Sequence, residues 1–175
     1  MNKVSLQRPS SKDQAAVEEI IAEFNANQET KHGFITPQGQ DDFNAWLAWT
    51  LIEEDESQLP EGWVAGTSFL VVDADRERIV GFVNIRHHLN EKLERYGGHI
   101  GYSIRPDERN KGYGTAALAL ALEFCRGLGI QKALVTCAKD NIGSKKVILH
   151  NGGVFSDEYF DEEYQVIEQH YWITI

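Results

Sequence analysis

Apolar and polar positions along the 175 residues predict one mixed α/β domain, residues 1–175. Short segments of alternating or continuous apolar residues indicate strands, and apolar residues at i, i+3, i+4 and i+7 indicate helices. About seven strands and four helices result, without repeats or linkers. The predicted strands cover residues 4–8, 67–73, 78–87, 99–105, 132–138, 154–160 and 164–175. The predicted helices start near residues 11, 41, 112 and 141.

Two helices are predicted before the first long hairpin. Ser11 and Gln14 have the spacing of a capping box at the start of the first helix. Its apolar stripe consists of Val17, Ile20, Ile21 and Phe24. The second helix spans residues 41–54, with Trp49 partly off its apolar face. That face consists of Phe43, Trp46, Leu47, Thr50 and Leu51. We expect it to pack in the core, and an aromatic wall beside a substrate is the alternative.

Composition narrows the class of protein. The chain has 27 acidic and 17 basic residues, a net charge of −10, which argues against a nucleic-acid partner. The charge is compatible with a cationic acceptor such as an amine, although it mainly favours solubility. Without an apolar signal core or a membrane-spanning stretch, we expect a cytoplasmic protein with no membrane partner. Cys125 and Cys137 lack the spacing of metal ligands or of a disulfide framework, so no metal is expected.

The strongest chemical signal is the segment between the strand 99–105 and the long helix. Pro106 ends the strand, and Gly112 and Gly114 open the helix. The first turn of a helix has backbone N–H groups without partners, and its dipole favours negative charge. The two glycines let an anion approach the backbone, and Arg109 can add a charge-assisted contact. The segment therefore predicts a phosphate or pyrophosphate site.

These glycines have two other interpretations. Glycines before a helix can be ordinary loop chemistry, and residues 112–117 formally fit the dinucleotide-binding pattern Gly-x-Gly-x-x-Gly/Ala. That pattern follows its strand in a tight turn, whereas about six residues intervene here, starting with Pro106. Only one further βα unit follows, so the dinucleotide interpretation is disfavoured.

The segment 99–114 resembles the acetyl-CoA-binding motif of the GNAT superfamily of N-acetyltransferases. The family motif is Arg/Gln-x-x-Gly-x-Gly/Ala, and residues 109–114, Arg-Asn-Lys-Gly-Tyr-Gly, match it fully. The next family segment, a strand followed by Asn and a short helix, resembles residues 135–144. The resemblance implies a mostly antiparallel central sheet. It also implies a V-shaped opening between two central parallel strands, 99–105 and 132–138.

The resemblance implies transfer of the acetyl group of acetyl-CoA, as co-substrate, to a primary amine. The acceptor is expected to be a small molecule that attacks directly in a ternary complex. The pyrophosphate would be held by backbone N–H groups of residues 110–115, and the pantetheine arm by the main chain of Ile104. The implied cofactor-binding residues are Ile104, Arg109, Asn110, Lys111, Gly112, Tyr113, Gly114, Thr115, Asn141, Ser144 and Lys145. A catalytically silent acyl-CoA sensor is the alternative.

The implied catalytic residues depart from the family pattern. His99 stands where many members have Glu, and it is either a general base or a histidine that only hydrogen-bonds a loop. Ile148 stands where many members have the tyrosine that protonates the leaving thiolate. Tyr102, Ser144 or a water molecule could replace that acid. Cys137 lies nearby in the alignment but has no adjacent base, which argues against a nucleophile.

The acceptor pocket is expected between residues 28–62 and 86–97. In a strand, His87 and His88 would point to opposite faces, so surface or loop packing is favoured. The alternative is that Arg86 and one histidine contact the substrate. The C-terminal strands could also pair in a homodimer.

Overall fold

The fold combines strands and helices in the computed structural model, which describes residues 3–162 and 164–175. The strands are β1 Val4–Gln7, β2 Gly66–Asp73, β3 Arg78–Arg86, β4 Ile100–Ile104, β5 Lys132–Ala138, β6 Val154–Asp161 and β7 Val166–Thr174. The helices are α1 Gln14–Ala26, α2 Phe43–Thr50, α3 Glu91–Arg95, α4 Tyr113–Gly127 and α5 Ile142–His150. The predicted α/β class and the seven strands are confirmed for the described residues.

The strands form two antiparallel sheets, in the orders β1-β2-β3-β4 and β5-β7-β6. β4 and β5 are therefore edge strands of different sheets. They meet at one end, where His99 N donates to Leu134 O at 2.8 Å and Gly98 forms an isolated antiparallel bridge with Val135. Beyond this joint no strand ladder connects β4 and β5 in the described ranges. This break in pairing corresponds to the opening that the family resemblance implies.

The hydrophobic core lies on both faces of the first sheet. Alternation along β3 places Val83 and Ile85 in the cluster formed with α4, while Phe82 faces α1 and α2. Phe82 contacts the rings of Phe34 and Trp46 at 5.2 and 5.5 Å between centroids. The fully buried positions of α4 are Ala117, Leu118, Ala121 and Cys125. The apolar helix thus covers the sheet, as its composition predicts.

Several predicted boundaries shift. The capping interaction lies one residue earlier than predicted, because Ser10 N donates to the Asp13 carboxylate at 2.8 Å. A 3₁₀ turn, Ser11–Asp13, precedes α1. α2 is shorter than 41–54. Trp49, expected partly off the apolar face, is buried, whereas Leu51, expected on that face, is 78% exposed.

Two further differences lie in the connections. The short helix α3 was not predicted; its first turn is capped by Asn90, whose side chain accepts from Leu93 N at 2.9 Å. β7 begins at Val166, not at residue 164. We expect an acidic turn over residues 161–163 between the last two strands, and its third residue, Glu163, lies outside the described residues. β6 is an edge strand with exposed apolar side chains, and the homodimer stays a prediction.

A buried carboxylate anchors the segment that joins β4 to α4. Glu108 is 1% exposed and accepts from the Arg76 guanidinium at 2.9 and 3.0 Å. Lys111 Nζ donates to the same carboxylate at 3.0 Å, and Arg78 also pairs with it. The hydrogen bonds from Arg76, with those of Lys111, lower the pKa of Glu108 to about 2. The segment is thereby attached to the turn between β2 and β3.

Replacing this carboxylate tests the anchor. Glu108→Gln should lower the free energy of unfolding near neutral pH by about 1–3 kcal/mol, because charged hydrogen bonds are lost and partly exposed cations remain. The folded pKa lies below the ordinary value of 4.5. The stabilisation is therefore present above about pH 4.5 and disappears as the pH falls toward 2. Denaturant unfolding of both proteins across this range would measure the difference.

Glu123→Gln is the matched control, since it removes an exposed ion pair with Arg126. It should change the free energy of unfolding by less than about 0.5 kcal/mol. Equal losses for the two variants would contradict the anchoring role of Glu108.

Candidate active site

The segment before α4 presents backbone donors without partners. Within the described ranges, none of the N–H groups of residues 110–115 donates a hydrogen bond, whereas Ala116 N donates to Gly112 O at 3.1 Å. Asn110 and Gly112 have φ values of 61° and 87°, a left-handed conformation that favours glycine. A Cβ atom at Gly112 would meet nothing within 4 Å. Successive free N–H groups at a helix start form a concave site for an anion.

The long side chains of this segment bind other parts of the protein. Arg109 Nε donates to Ile104 O at 3.0 Å, and its guanidinium pairs with Glu29. Lys111 Nζ donates to Asp107 O at 2.8 Å as well as to Glu108. The anion-binding capacity therefore lies in the backbone. The predicted contacts of the Arg109 and Lys111 side chains, and of the Ile104 main chain, with acetyl-CoA stay predictions.

The Tyr113 side chain binds within the protein, and the contact of Tyr113 with acetyl-CoA stays a prediction. Its ring is buried, its hydroxyl donates to Asp73, and it accepts from Arg76 Nη2 at 2.8 Å. The side chain thus holds the start of α4 against the β2–β3 turn.

Asn141 caps α5 and positions the first turn of that helix. Its side-chain oxygen accepts from Ser144 N at 3.0 Å. Ser144 Oγ in turn lies 2.8 Å from the Tyr102 hydroxyl. The structure therefore brings three predicted site residues, from β4 and α5, to one edge of the opening. Contacts of Asn141, Ser144 and Lys145 with the cofactor stay predictions.

The Tyr102 hydroxyl is a protonated donor at this edge. Burial raises the pKa of Tyr102, so the phenol keeps its proton at neutral pH. Ile148 is fully buried in the core, which removes that position from the opening. Burial also raises the pKa of the Cys137 thiol to about 11, which leaves little thiolate at neutral pH.

His99 joins the two sheets. It is 6% exposed, and its Nδ1 accepts from Leu134 N at 2.9 Å. Because a backbone N–H only donates, Nδ1 carries no proton and the neutral ring has its proton on Nε2. Burial lowers the pKa of His99 to about 4, and the charge of Arg86 adds to the effect. The role of His99 as general base stays a prediction, and this geometry favours the backbone-binding alternative.

The two adjacent histidines contact different elements. His87 Nε2 lies 2.8 Å from Thr67 Oγ1, and the His88 ring contacts the Glu56 carboxylate. Both contacts agree with the packing role favoured by the sequence. The Arg86 side chain contacts the segment before β4, where its Nη1 lies 3.4 Å from the carbonyl oxygens of Gly97 and Gly98.

Glu168 is a further titratable group, which no sequence motif indicates. This half-buried residue of β7 is paired with Ala138 of β5, and burial, with the charges of Asp161 and Asp140, raises the pKa of its carboxyl to about 7. Such a group can exchange a proton near neutral pH. The place of Glu168 in a strand is visible in the sequence, but the burial that shifts the pKa of its carboxyl is not.

These features define a class of α/β domain in which a helix start with free N–H groups lies beside a break between two sheets. A family model described as "Acetyltransferase (GNAT) domain" matches residues 3–154, and the chain belongs to this family. It is 26% identical over 115 residues to YnaD of Bacillus subtilis (strain 168), named an uncharacterized N-acetyltransferase. That match covers 59% of this chain and 65% of the relative's length.

Solved acetyltransferases share the fold. The microcin C7 self-immunity acetyltransferase MccE, in complex with acetyl-CoA and AMP, superimposes with a TM-score of 0.72 at 15% identity, covering 100% of this chain and 94% of that one. The ribosomal-protein-S5-alanine acetyltransferase of Vibrio fischeri gives 0.73 at 16% identity, covering 99% and 94%. At these identities the likeness concerns the fold alone. No helix in the described ranges has the length and hydropathy needed to cross a membrane.

The His99 geometry makes a pH-dependent prediction. The folded pKa of about 4 lies below the ordinary 6.5, so the unfolded chain binds the proton more readily. The free energy of unfolding should therefore fall between about pH 6.5 and 4, by at most about 1.4 kcal/mol per pH unit. His99→Asn places a non-titrating acceptor near the Nδ1 position and should flatten this slope in denaturant unfolding.

His150→Asn, at the exposed end of α5, should leave the slope unchanged. If the ring only joins the sheets, His99→Asn should also keep kcat/KM within about threefold. A loss of about 100-fold or more would instead support the general-base assignment.

Proposed function

We propose that this protein transfers the acetyl group of acetyl-CoA to a primary amine of a small-molecule acceptor. The observation that carries the proposal is the row of N–H groups at residues 110–115, which have no partner in the described part of the chain and lie at the start of α4, in a chain of the GNAT family. The name of the YnaD relative and the acetyl-CoA in the MccE structure support it.

The residues at the break between the sheets fit acetyl-CoA. The free N–H groups and the open space at Gly112 suit a pyrophosphate. In the described ranges, β4 and β5 form no strand ladder with each other. Their edges therefore suit an extended pantetheine arm that starts at this loop. When bound, acetyl-CoA supplies an activated acetyl thioester. The chain would contribute mainly by positioning the two reactants and by donating backbone N–H groups that polarise the thioester carbonyl.

The two faces of β4 would separate the attacking amine from the leaving thiolate. Ser103 Oγ donates to His32 O at 2.6 Å, so one face of β4 meets the connection between α1 and α2. The Tyr102 side chain extends from the other face to Ser144. We place the acceptor amine on the Ser103 side. On the opposite side the Tyr102 hydroxyl would donate its proton to the leaving thiolate, in place of the acid that Ile148 does not supply.

A silent acyl-CoA sensor is the second candidate, and the buried Ile148 favours it. Both candidates require acetyl-CoA binding. Release of free thiol in the presence of an amine separates them, since a sensor releases none.

Acetyl-CoA binding can be tested by thermal unfolding. At about 100 times its Kd the ligand should stabilise the wild type by about 2.7 kcal/mol, which raises Tm by several degrees. Gly112→Glu should abolish the shift, because it places a carboxylate at the proposed pyrophosphate site. Tm with and without acetyl-CoA is the measurement.

Gly129→Glu is the matched control. Gly129 lies beyond the other end of α4, has a positive φ of 81°, and also has open space around its Cβ position. Its variant should lose similar intrinsic stability but keep the shift. A folded wild type that shows no shift would refute the proposed function.

The acid role of Tyr102 is tested by Tyr102→Phe. With an amine that supports thiol release, kcat should fall about 10–100-fold, because the leaving thiolate loses its proton donor. The Kd for acetyl-CoA should stay within about threefold, since the backbone of residues 110–115 holds the pyrophosphate. Tyr96→Phe, whose ring packs against Tyr159, should keep the wild-type kcat. An unchanged kcat in Tyr102→Phe would exclude this role.

A further inference from the structure

We propose that the acceptor is an amino acid, and that Arg86 binds its carboxylate at the end of β4 remote from the pyrophosphate loop. The inference rests on the proposed function and adds the substrate class. Arg86 forms no ion pair with any carboxylate of residues 3–162 and 164–175.

Arg86 differs from the other arginines of the chain. Six others form ion pairs with carboxylates: Arg8, Arg76, Arg78, Arg105, Arg109 and Arg126. Arg95 is exposed to solvent. Arg86 is half-buried, and no carboxylate of the described residues forms an ion pair with it. Its hydrogen bonds there are two long ones from Nη1, at 3.4 Å to Gly97 O and Gly98 O.

The free donors of Arg86 form one edge of the guanidinium. Nε and Nη2 donate to no group in the described part of the chain, and together they make the fork that binds a carboxylate through two parallel hydrogen bonds. Burial lowers the pKa of Arg86 to about 10, which reflects the cost of holding this cation away from water. An anion from outside the protein would offset that cost.

The nearby acidic side chain is engaged elsewhere. Glu53 is buried, and its carboxylate accepts from Ser68 N at 2.6 Å and from Asn84 Nδ2 at 3.1 Å. Glu53 acts on Arg86 through its charge but forms no ion pair with it. The guanidinium therefore keeps its capacity for a ligand.

Glycines keep space around the guanidinium. A Cβ atom at Gly101 would lie 3.5 Å from Arg86 Nη1 and 3.4 Å from Gly33 N, and one at Gly97 would lie 3.7 Å from Nη1. Gly101 belongs to β4, the strand that borders the break between the sheets. Arg86 thus lies between that strand and the connection of α1 to α2.

The position along β4 suits an acceptor. Gly101 and Ile104 are three steps apart, about 10 Å in a strand, and the pyrophosphate loop follows Ile104. An arm that starts at this loop and follows β4 would bring its reacting end toward Gly101. A small molecule that places its amine there and its carboxylate on Arg86 is an amino acid.

A double-mutant cycle on substrate and protein tests the proposal. Thiol release from acetyl-CoA would be measured with the standard amino acids and with their matching carboxamides, for the wild type and for Arg86→Gln. The wild type should favour the best amino acid over its carboxamide by about 10–100-fold in kcat/KM, the effect of one charged hydrogen-bond pair. In Arg86→Gln the preference should vanish, mainly through a higher KM. The comparison cancels the difference in amine basicity between acid and amide.

Controls separate this inference from the proposed function. Arg95→Gln should retain the wild-type preference, and the acetyl-CoA shift in Tm should persist in Arg86→Gln if the variant is folded. Arg86→Lys should recover part of the preference. An acid preference that survives in Arg86→Gln, or acetylation of carboxamides, aminoalkyl phosphonates or spermidine in place of amino acids, would overturn the inference while leaving acetyl transfer intact. Absence of both the Tm shift and thiol release would refute the proposed function and this inference with it.

Discussion

The break between β4 and β5 is the constraint on which the rest of the site depends. Two facing strand edges would ordinarily pair, because unpaired backbone groups are costly when they are buried. Among the described residues, the backbone pairing between these edges lies at Gly98 and His99. A Cβ atom at Gly98 would lie 2.4 Å from Leu134 O, so the close approach requires glycine. His99 completes the joint, since its main chain and its ring both bind Leu134. The joint fixes one end of the break, and α4 and α5 border the other.

A strongly acidic chain can present an anion site because that site is made of backbone. The net charge of −10 describes the whole molecule, whereas the N–H groups of residues 110–115 act locally. The cationic side chains of the same segment are neutralised by Glu29 and Glu108. Their carboxylates shape the loop and leave its N–H groups as the donors. Net charge therefore excludes a nucleic-acid surface far better than it excludes a phosphate site.

The sequence predicts elements well where a local pattern decides the structure. β5 has the predicted limits, and Asn141 and Gly112 mark the starts of α5 and α4 as expected. Prediction fails where tertiary contacts decide. Trp49 is buried against Trp63, although the helical periodicity of α2 places it off the apolar face. The five residues of α3 are too few for a periodic signal. Similarly, neither the accepting Nδ1 of His99 nor the missing ion pair of Arg86 can be deduced from residue order.

The placement of polar groups on β4 follows from strand alternation. Successive side chains of a strand point to opposite faces, so Gly101 and Ser103 share one face and Tyr102 takes the other. The first face meets the connection between α1 and α2 and lies next to Arg86; the second meets α5 through Ser144. An acetyl thioester bound along β4 would be attacked by the amine on the side of the first face and would release its thiolate on the side of the second. A direct transfer needs that geometry, because the amine and the leaving group occupy different positions around the carbonyl carbon. The alternation of this short strand therefore gives a physical reason why the proposed acceptor-binding and acid residues come from neighbouring positions in the sequence.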